Sequence, residues 1–282
     1  MTISINALPD SVYADRAFNY GDGCFTTMRC VNHIIMLWDY HWQRLQADTQ
    51  ALGISLAESD WQALLVELQT VQRNLQAGVI KVHVSRGQGG RGYATQGVSA
   101  PSVTITTHPL PELNSLPVTL GVASGFLASQ PLLAGIKHSN RLEQILFKRQ
   151  AELSGVDDVL CLDSAGYLLE TTSANVFWRC GDTWYTPELD TAGVSGVCRQ
   201  AILAMFAQTG QAYTVGKYCL DVLDTADAMF LCNAVRGIIP VQKIILGERI
   251  QSGPTTHDGT IHFTPTHCTS VQTALASFTA QL

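Results

Sequence analysis

The sequence has 282 residues, of which 46% are hydrophobic, so it is long enough for one large or two ordinary folded domains. Seventeen basic and 23 acidic side chains give a net charge of −6, which argues against binding to nucleic acid or to an anionic membrane. No signal peptide is evident, and no run reaches the roughly 18 apolar residues of a membrane span. Eight cysteines without CxxC spacing indicate reduced thiols. We therefore expect a cytoplasmic protein.

The N-terminal part of the chain is predicted to contain both helices and strands. Apolar residues at helical spacing are followed by Gly53 in one segment and by Gly78 in the next, and both glycines are typical of helix ends. Alternating apolar residues after Gly78 are typical of a strand. The predicted elements, in chain order, are helices over 39–52 and 60–76 and strands over 79–85 and 102–107.

Three prolines in PLPELNSLP, residues 109–117, predict an interdomain linker. This linker would separate a smaller N-terminal α+β domain, residues 1–108, from a larger C-terminal domain, residues 118–282. The fold class is therefore expected to be mixed, α+β. Beyond the linker, the predicted strands are 118–124, 158–162, 168–172, 175–179 and 184–186, and the predicted helices are 141–153, 197–208 and 270–281.

The segment SRGQGGRGY contains a G-x-G-x-x-G pattern that resembles a dinucleotide-binding loop. Such a loop must open a helix whose amides face the pyrophosphate, but the residues that follow include Pro101 and many β-branched side chains, so no helix is expected. The loop also carries Arg86, Arg91 and Tyr93, and arginines on a flexible backbone suit recognition of a carboxylate. A solvated surface turn is the alternative interpretation.

Lys137 differs in context from the other four lysines, which lie on an alternating strand or on helix flanks. It follows the apolar run PLLAGI, which we expect to be buried, and precedes the polar HSNR. Burial lowers the pKa of an amine and favours the free nucleophile that Schiff-base chemistry requires. A solvated surface lysine is the alternative.

Three other positions are candidates for binding a charged ligand. The turn before Val197 enters a predicted helix, whose first amides could bind an anion, although a plain helix start is common. Glu170 ends a predicted strand, where a carboxylate could face a ring nitrogen. Arg44 lies beside the apolar stripe of the first predicted helix, and a salt-bridged surface arginine is the alternative there.

Metal binding is not expected. His257, His262, His267 and Cys268 lie close together in sequence but lack the spacing of known zinc motifs. A serine hydrolase is not indicated either, because no G-x-S-x-G motif is present.

The chain contains six segments that, taken in sequence order, resemble the fold-type IV pyridoxal-phosphate enzymes and extend over nearly the whole chain. This family includes branched-chain aminotransferases, D-amino acid aminotransferases and aminodeoxychorismate lyases. The resemblance implies a two-domain fold like that of D-amino acid aminotransferase, with the cofactor between the domains. The segments are RAFNYGDGCFTTMR, HWQRL, SRGQGGRGY, GIKHSNR, LETTSANVFW and VSGVCR.

The resemblance also implies which residues bind pyridoxal 5'-phosphate. Lys137 matches the Schiff-base lysine, and Glu170 matches the carboxylate that pairs with the pyridine nitrogen. Arg44 matches the arginine that binds the phosphate. The remaining matches to the phosphate-binding turns are Gly196, Val197, Cys198 and Asn233, the last standing where the aminotransferases more often have a hydroxyl residue.

SRGQGGRGY and GIKHSNRLEQ resemble the lyases most. This implies conversion of 4-amino-4-deoxychorismate to 4-aminobenzoate and pyruvate, with Lys137 as proton shuttle; an aminotransferase that acts on D- or branched-chain amino acids is the alternative. Relatives bind the substrate carboxylate with residues of the neighbouring subunit, so a homodimer with a shared active site is implied. The candidate substrate-binding residues are Phe25, Thr27, Arg86, Arg91, Tyr93 and Asn140.

Overall fold

A computed structural model describes residues 1–7, 12–98, 100–112, 116–246 and 259–280. The chain divides into two compact units. Unit 1 consists of Met1–Glu112 together with Ile136–Asn140, and unit 2 consists of Leu113–Gly135 together with Arg141–Leu282. The segment of Lys137 therefore belongs to unit 1. The domain boundaries expected from the sequence remain a prediction, and residues 113–115 of the expected linker lie outside the described residues.

Unit 1 is built around a five-stranded sheet with the order β1-β5-β4-β2-β3, in which β1 and β5 are parallel and the other pairs are antiparallel. One face of the sheet packs against α2 and α3 through a core that includes Met28, Ile80 and Leu64. Its elements are β1 (Thr2–Ile5), α1 (Arg16–Tyr20), β2 (Gly23–Val31), β3 (Ile34–Ile35), α2 (Trp38–Ala51), α3 (Glu58–Asn74), β4 (Ala77–Ser85) and β5 (Ser102–His108).

Unit 2 is built around a nine-stranded sheet. Within its described residues, β8 also pairs with β9, which closes β9, β12, β13, β6, β7 and β8 into a ring. The elements are β6 (Val118–Leu127), α4 (Leu142–Leu153), β7 (Asp158–Asp163), β8 (Leu168–Thr171), β9 (Asn175–Cys180), β10 (Thr183–Pro187), α5 (Val197–Thr209), β11 (Tyr213–Gly216), β12 (Ala228–Asn233), β13 (Gly237–Ile245), β14 (Thr260–His262) and α6 (Thr269–Thr279).

The mixed α and β composition and most of the predicted elements are confirmed, but the end of the second helix is wrong. α3 ends at Asn74, and Gly78 lies inside β4. A Cβ at Gly78 would lie 2.9 Å from the carbonyl oxygen of His108 on the neighbouring strand. This glycine therefore allows close strand pairing and does not end a helix. The strand β2 has no counterpart among the elements predicted from periodicity.

The expectation that PLLAGI is buried is wrong. Its residues form a turn between Gln130 and Ile136, and Leu132 is 81% exposed. Only Ile136, directly before Lys137, is buried. In the described residues, no helix is long and apolar enough to cross a membrane.

Candidate active site

Lys137 is fixed through its backbone in unit 1. Its N–H donates to Asp48 Oδ2 on α2 at 3.1 Å, and its carbonyl accepts from the N–H of Phe25 on β2 at 3.0 Å. The half-buried side chain places Nζ 4.6 Å from the centre of the Phe25 ring. A helix and a strand therefore hold the lysine backbone, while its amine lies over an aromatic face.

Arg44 is buried on α2 with 7% exposure, so the surface interpretation of this residue is wrong. One of its terminal nitrogens donates to Thr26 Oγ1, whereas Nε is buried without a hydrogen-bond partner in the described structure. Burial lowers the pKa of Arg44 to about 10, and the Asp48 carboxylate acts against this shift. At neutral pH the guanidinium is therefore a buried cation with an unsatisfied donor, and an anion such as a phosphate would satisfy it.

The predicted substrate-binding residues Phe25 and Thr27 lie on the half-buried face of β2, opposite the face that packs on the helices. Lys81 on β4 pairs with Thr27 and places Nζ 4.8 Å from the Phe25 ring. Asn140 is exposed, and its side-chain amide lies 3.4 Å from the carbonyl oxygen of Gly21. Phe25, Thr27 and Asn140 thus all belong to unit 1, as Lys137 does.

The glycine and arginine loop, residues 86–98, contains no helix, as the sequence predicted. Buried Arg16 organises this loop. Its Nη1 donates to the carbonyl oxygens of Gly89, Gly92 and Ala94 at 3.1–3.3 Å, and its Nε donates to Asp22 at 2.8 Å. Sequence reasoning did not single out this arginine.

The three candidates on this loop have different surroundings. Arg86 donates from Nε to Asp22 at 2.8 Å and from its other nitrogens to the carbonyl oxygens of Leu52 and Gly53 at 2.6 and 2.7 Å. Its guanidinium therefore ties the loop to the end of α2. Arg91 and Tyr93, in contrast, are exposed, Tyr93 to 87%. These two side chains are accessible to a ligand or to another subunit.

In unit 2, Glu170 is buried on β8. Its Oε2 accepts from the N–H of Val194 at 2.9 Å and from Asn175 Nδ2 at 3.4 Å. Asn175 also donates to the carbonyl oxygen of Val194 at 2.8 Å. Glu170 is thereby linked to the turn that precedes α5, as expected for a carboxylate held beside a ligand.

That turn leads into α5 at the predicted helix start, and the anion site there remains a prediction. Gly196 is the N-cap residue of α5 and supplies no side-chain cap, and Val197 and Cys198 form the first turn. A Cβ at Gly196 would lie 2.1 Å from Asn175 Oδ1, so any other residue would displace the hydrogen-bonded Asn175 side chain. The first amides of a 13-residue helix can bind an anion such as a phosphate.

Asn233 lies at the end of β12, and its side chain is already hydrogen-bonded. Oδ1 accepts from the N–H groups of Val235 and Arg236 at 3.1 and 2.8 Å, and Nδ2 donates to the carbonyl oxygen of Ser173 at 3.3 Å. The side chain therefore shapes the turn after β12.

Each unit carries groups whose chemistry fits part of pyridoxal phosphate. Unit 1 offers an amine at Lys137 and a buried cation at Arg44, and unit 2 offers a buried carboxylate at Glu170 and an uncapped helix N-terminus. For a metal, no group of three histidine, cysteine, aspartate or glutamate side chains is found in the parts of the chain that the structure describes. His257 lies outside those parts.

Comparison with known proteins adds the following findings. The family model described as amino-transferase class IV matches residues 23–244. An aminodeoxychorismate lyase of Vibrio harveyi is 36% identical over 250 residues, which cover 86% of this chain and 92% of the relative. The crystal structure of 4-amino-4-deoxychorismate lyase from Pseudomonas aeruginosa matches with a TM-score of 0.80 and 34% identity over 85% of this chain and 89% of that one.

A further match shows similarity of fold alone. A hypothetical aminotransferase from Mycobacterium tuberculosis, solved in a PLP-bound form, matches with a TM-score of 0.79 at 19% identity and covers 98% of this chain and 95% of that one. The two-sheet α+β architecture is thus shared with a protein that binds this cofactor.

Proposed function

Since the chain belongs to the class IV aminotransferase family, we propose that it is a pyridoxal-phosphate-dependent lyase that converts 4-amino-4-deoxychorismate to 4-aminobenzoate and pyruvate, a step toward folate. The similarity to the Vibrio harveyi lyase along most of both chains is the observation that carries this proposal. The residues Lys137, Arg44 and Glu170, each held as described above, support it.

We assign the following residues of this chain to the cofactor. Arg44 and the first amides of α5, at Val197 and Cys198, would bind the phosphate of the cofactor. Asn233 would shape the second phosphate-binding turn, which follows β12. Glu170 would accept a hydrogen bond from the pyridine nitrogen and keep it protonated. When bound, pyridoxal phosphate supplies an aldehyde that combines with amines and a ring that accepts electrons.

Lys137 would move the proton. Its Nζ would remove a proton from the amino-bearing ring carbon of the substrate, acting as a general base. The ether bond to the enolpyruvyl group then breaks, the ring becomes aromatic, and the same Nζ would return the proton to the methylene carbon of the departing enol to give pyruvate. The Phe25 ring beneath Nζ and the backbone bonds of Lys137 would restrict where the amine can reach.

The substrate carries two carboxylates, which suit arginine and lysine donors. We assign the exposed Arg91 and Tyr93 to this role, acting in a homodimer on the active site of the neighbouring subunit. Arg86 would contribute by holding the loop, because its guanidinium already binds Asp22 and two carbonyl oxygens. All eight cysteines are free, which supports a cytoplasmic location.

The test is the variant Lys137→Ala. We expect it to lose covalent attachment of the cofactor, seen as loss of the visible absorbance band, and to lower turnover by roughly a hundredfold to ten-thousandfold. Lys217→Ala, which removes an exposed lysine paired with Asp190, serves as the control and should keep both properties. Full turnover and an unchanged absorbance band in Lys137→Ala would refute the assignment.

A further inference from the structure

Arg44 belongs to a buried cluster with Thr26 and His41. Thr26 Oγ1 accepts from a terminal nitrogen of Arg44 and lies 2.6 Å from His41 Nδ1. Thr26 and His41 are each 1% exposed. Arg44 and His41 lie three residues apart on α2 and therefore on the same side of the helix, whereas Thr26 comes from β2. The cluster thus joins the helix to the sheet beneath it.

The direction of these hydrogen bonds follows from the chemistry of the three groups. A guanidinium can only donate, so the Thr26 oxygen accepts from Arg44. The hydroxyl hydrogen then has His41 Nδ1 as its remaining partner in the described structure, which requires that Nδ1 carry no proton. Burial lowers the pKa of His41 well below 6.5, and the charges of Arg44 and Lys137 add to this effect. We therefore assign His41 as neutral with its proton on Nε2, which is buried without a hydrogen-bond partner in the described structure.

We propose that Thr26 and His41 are positioning residues for Arg44: neutral His41 orients the Thr26 hydroxyl, which holds one guanidinium nitrogen so that buried Nε is presented to the cofactor phosphate. This inference rests on the proposed function, in which Arg44 binds that phosphate. The unpartnered Nε of Arg44 supports this inference. Without an orienting contact, a buried guanidinium could adopt other rotamers, in which Nε faces elsewhere.

The experiment compares binding of pyridoxal phosphate with binding of pyridoxal, which lacks the phosphate, to the apo forms of the variants. Thr26→Val keeps the shape of the side chain and removes the hydroxyl, whereas Thr26→Ser keeps the hydroxyl and is the matched control. We expect Thr26→Val to raise the dissociation constant for pyridoxal phosphate roughly tenfold, the effect of losing one hydrogen bond to a charged group. Its affinity for pyridoxal should stay at the wild-type value, and Thr26→Ser should resemble wild type with both ligands.

His41→Asn provides a second variant in case Thr26→Val does not fold, because the asparagine oxygen can replace Nδ1 as acceptor. It should bind pyridoxal phosphate more tightly than His41→Phe, which has no acceptor. Equal weakening of both ligands in Thr26→Val, or equal affinities of the two His41 variants, would indicate a purely structural role and overturn the inference.

Arg44→Ala separates this inference from the proposed function. If Arg44→Ala binds pyridoxal phosphate as wild type does, the assignment of Arg44 to the phosphate is wrong and the positioning role falls with it. If Arg44→Ala weakens pyridoxal phosphate selectively but Thr26→Val does not, the proposed function stands and the positioning role alone is refuted.

Discussion

Single residues show where local sequence is informative and where it is not. Lys137, Glu170 and Arg44 could be selected from short motifs because their chemistry is carried by one side chain in a recognisable context. Arg16, Thr26 and Asn175 could not be selected in this way. Thr26 bonds residues 15 and 18 positions away, and Arg16 bonds loop carbonyl oxygens 73 to 78 positions away. The role of Asn175 depends on the close approach of Gly196. The HxxR spacing of His41 and Arg44 was the one signal that could have revealed the Arg44 cluster.

Two histidines, buried His41 and half-buried His83, predict how stability depends on pH. Burial lowers the pKa of His41 and of His83 below 6.5, and the charge of Lys81 adds to the effect at His83 while Asp15 opposes it. Below pH 6.5 the unfolded chain therefore binds protons that the folded chain does not, so stability falls as pH decreases from 6.5. Urea unfolding at pH 7.5, 6.5 and 5.5 should show a decreasing free energy of unfolding.

The variant His41→Asn should reduce this pH dependence because one of these two histidines is removed. Exposed His33, at a φ of 61° that asparagine tolerates, offers the control His33→Asn, which should keep the wild-type dependence. An unchanged dependence in His41→Asn would contradict the assignment of a neutral, buried His41.

At the scale of elements, hydrophobic patterns predicted most helices and strands, because α3 and β5 each have one buried face and β7 is a short run buried throughout. The error at Gly78 has a physical cause, since a glycine next to a helix is also the residue that allows two backbones to approach closely. The strand β2 was missed because its half-buried face carries Phe25, Thr27 and Arg29, so its alternation is not one of apolar and polar residues. Local patterns therefore give the element type more reliably than its bounds.

The loop of residues 86–98 depends on one side chain from another element. Arg16→Lys removes several hydrogen bonds to loop carbonyl oxygens from a buried position, and we expect a loss of about 1–3 kcal/mol in the free energy of unfolding. Faster proteolysis within the loop and a raised KM, with the cofactor absorbance retained, should accompany this loss.

Arg73→Lys is the matched control because Arg73 is exposed on α3 and bonds only to Thr70 among the described residues. It should change neither stability nor KM measurably. If Arg16→Lys behaved in the same way, the loop would not depend on Arg16.

At the scale of the whole molecule, the closure of six strands of unit 2 into a ring had no signal in the sequence. It depends on pairing between β8 and β9, whose one paired position is Glu170 with Asn175. The same pair binds the turn before α5, so the folding of the ring also places the predicted cofactor carboxylate. Such long-range consequences follow from topology and not from local residue patterns.

The proposed shared active site predicts complementation between two inactive variants. Each proposed site takes Lys137 from one subunit and Arg91 from the other. A Lys137→Ala subunit therefore lacks the lysine of its own site, and an Arg91→Ala subunit lacks the arginine that would bind the substrate carboxylate in the site of its neighbour. When an equal mixture of the two variants is unfolded and refolded, half of the dimers contain one subunit of each variant. One of the two sites in such a dimer is intact, so activity should recover to about a quarter of wild type. Recovery to no more than the mean of the two separate variants would contradict a site shared between subunits.

The most direct test of the proposed function is to incubate the purified wild-type protein, loaded with pyridoxal phosphate, with 4-amino-4-deoxychorismate and to quantify the products. We predict that 4-aminobenzoate and pyruvate form in equal amounts, and that Lys137→Ala forms both roughly a hundredfold to ten-thousandfold more slowly. Transfer of amino groups from amino acids to keto acids, with no 4-aminobenzoate formed above the rate in buffer, would contradict the lyase and establish an aminotransferase in its place.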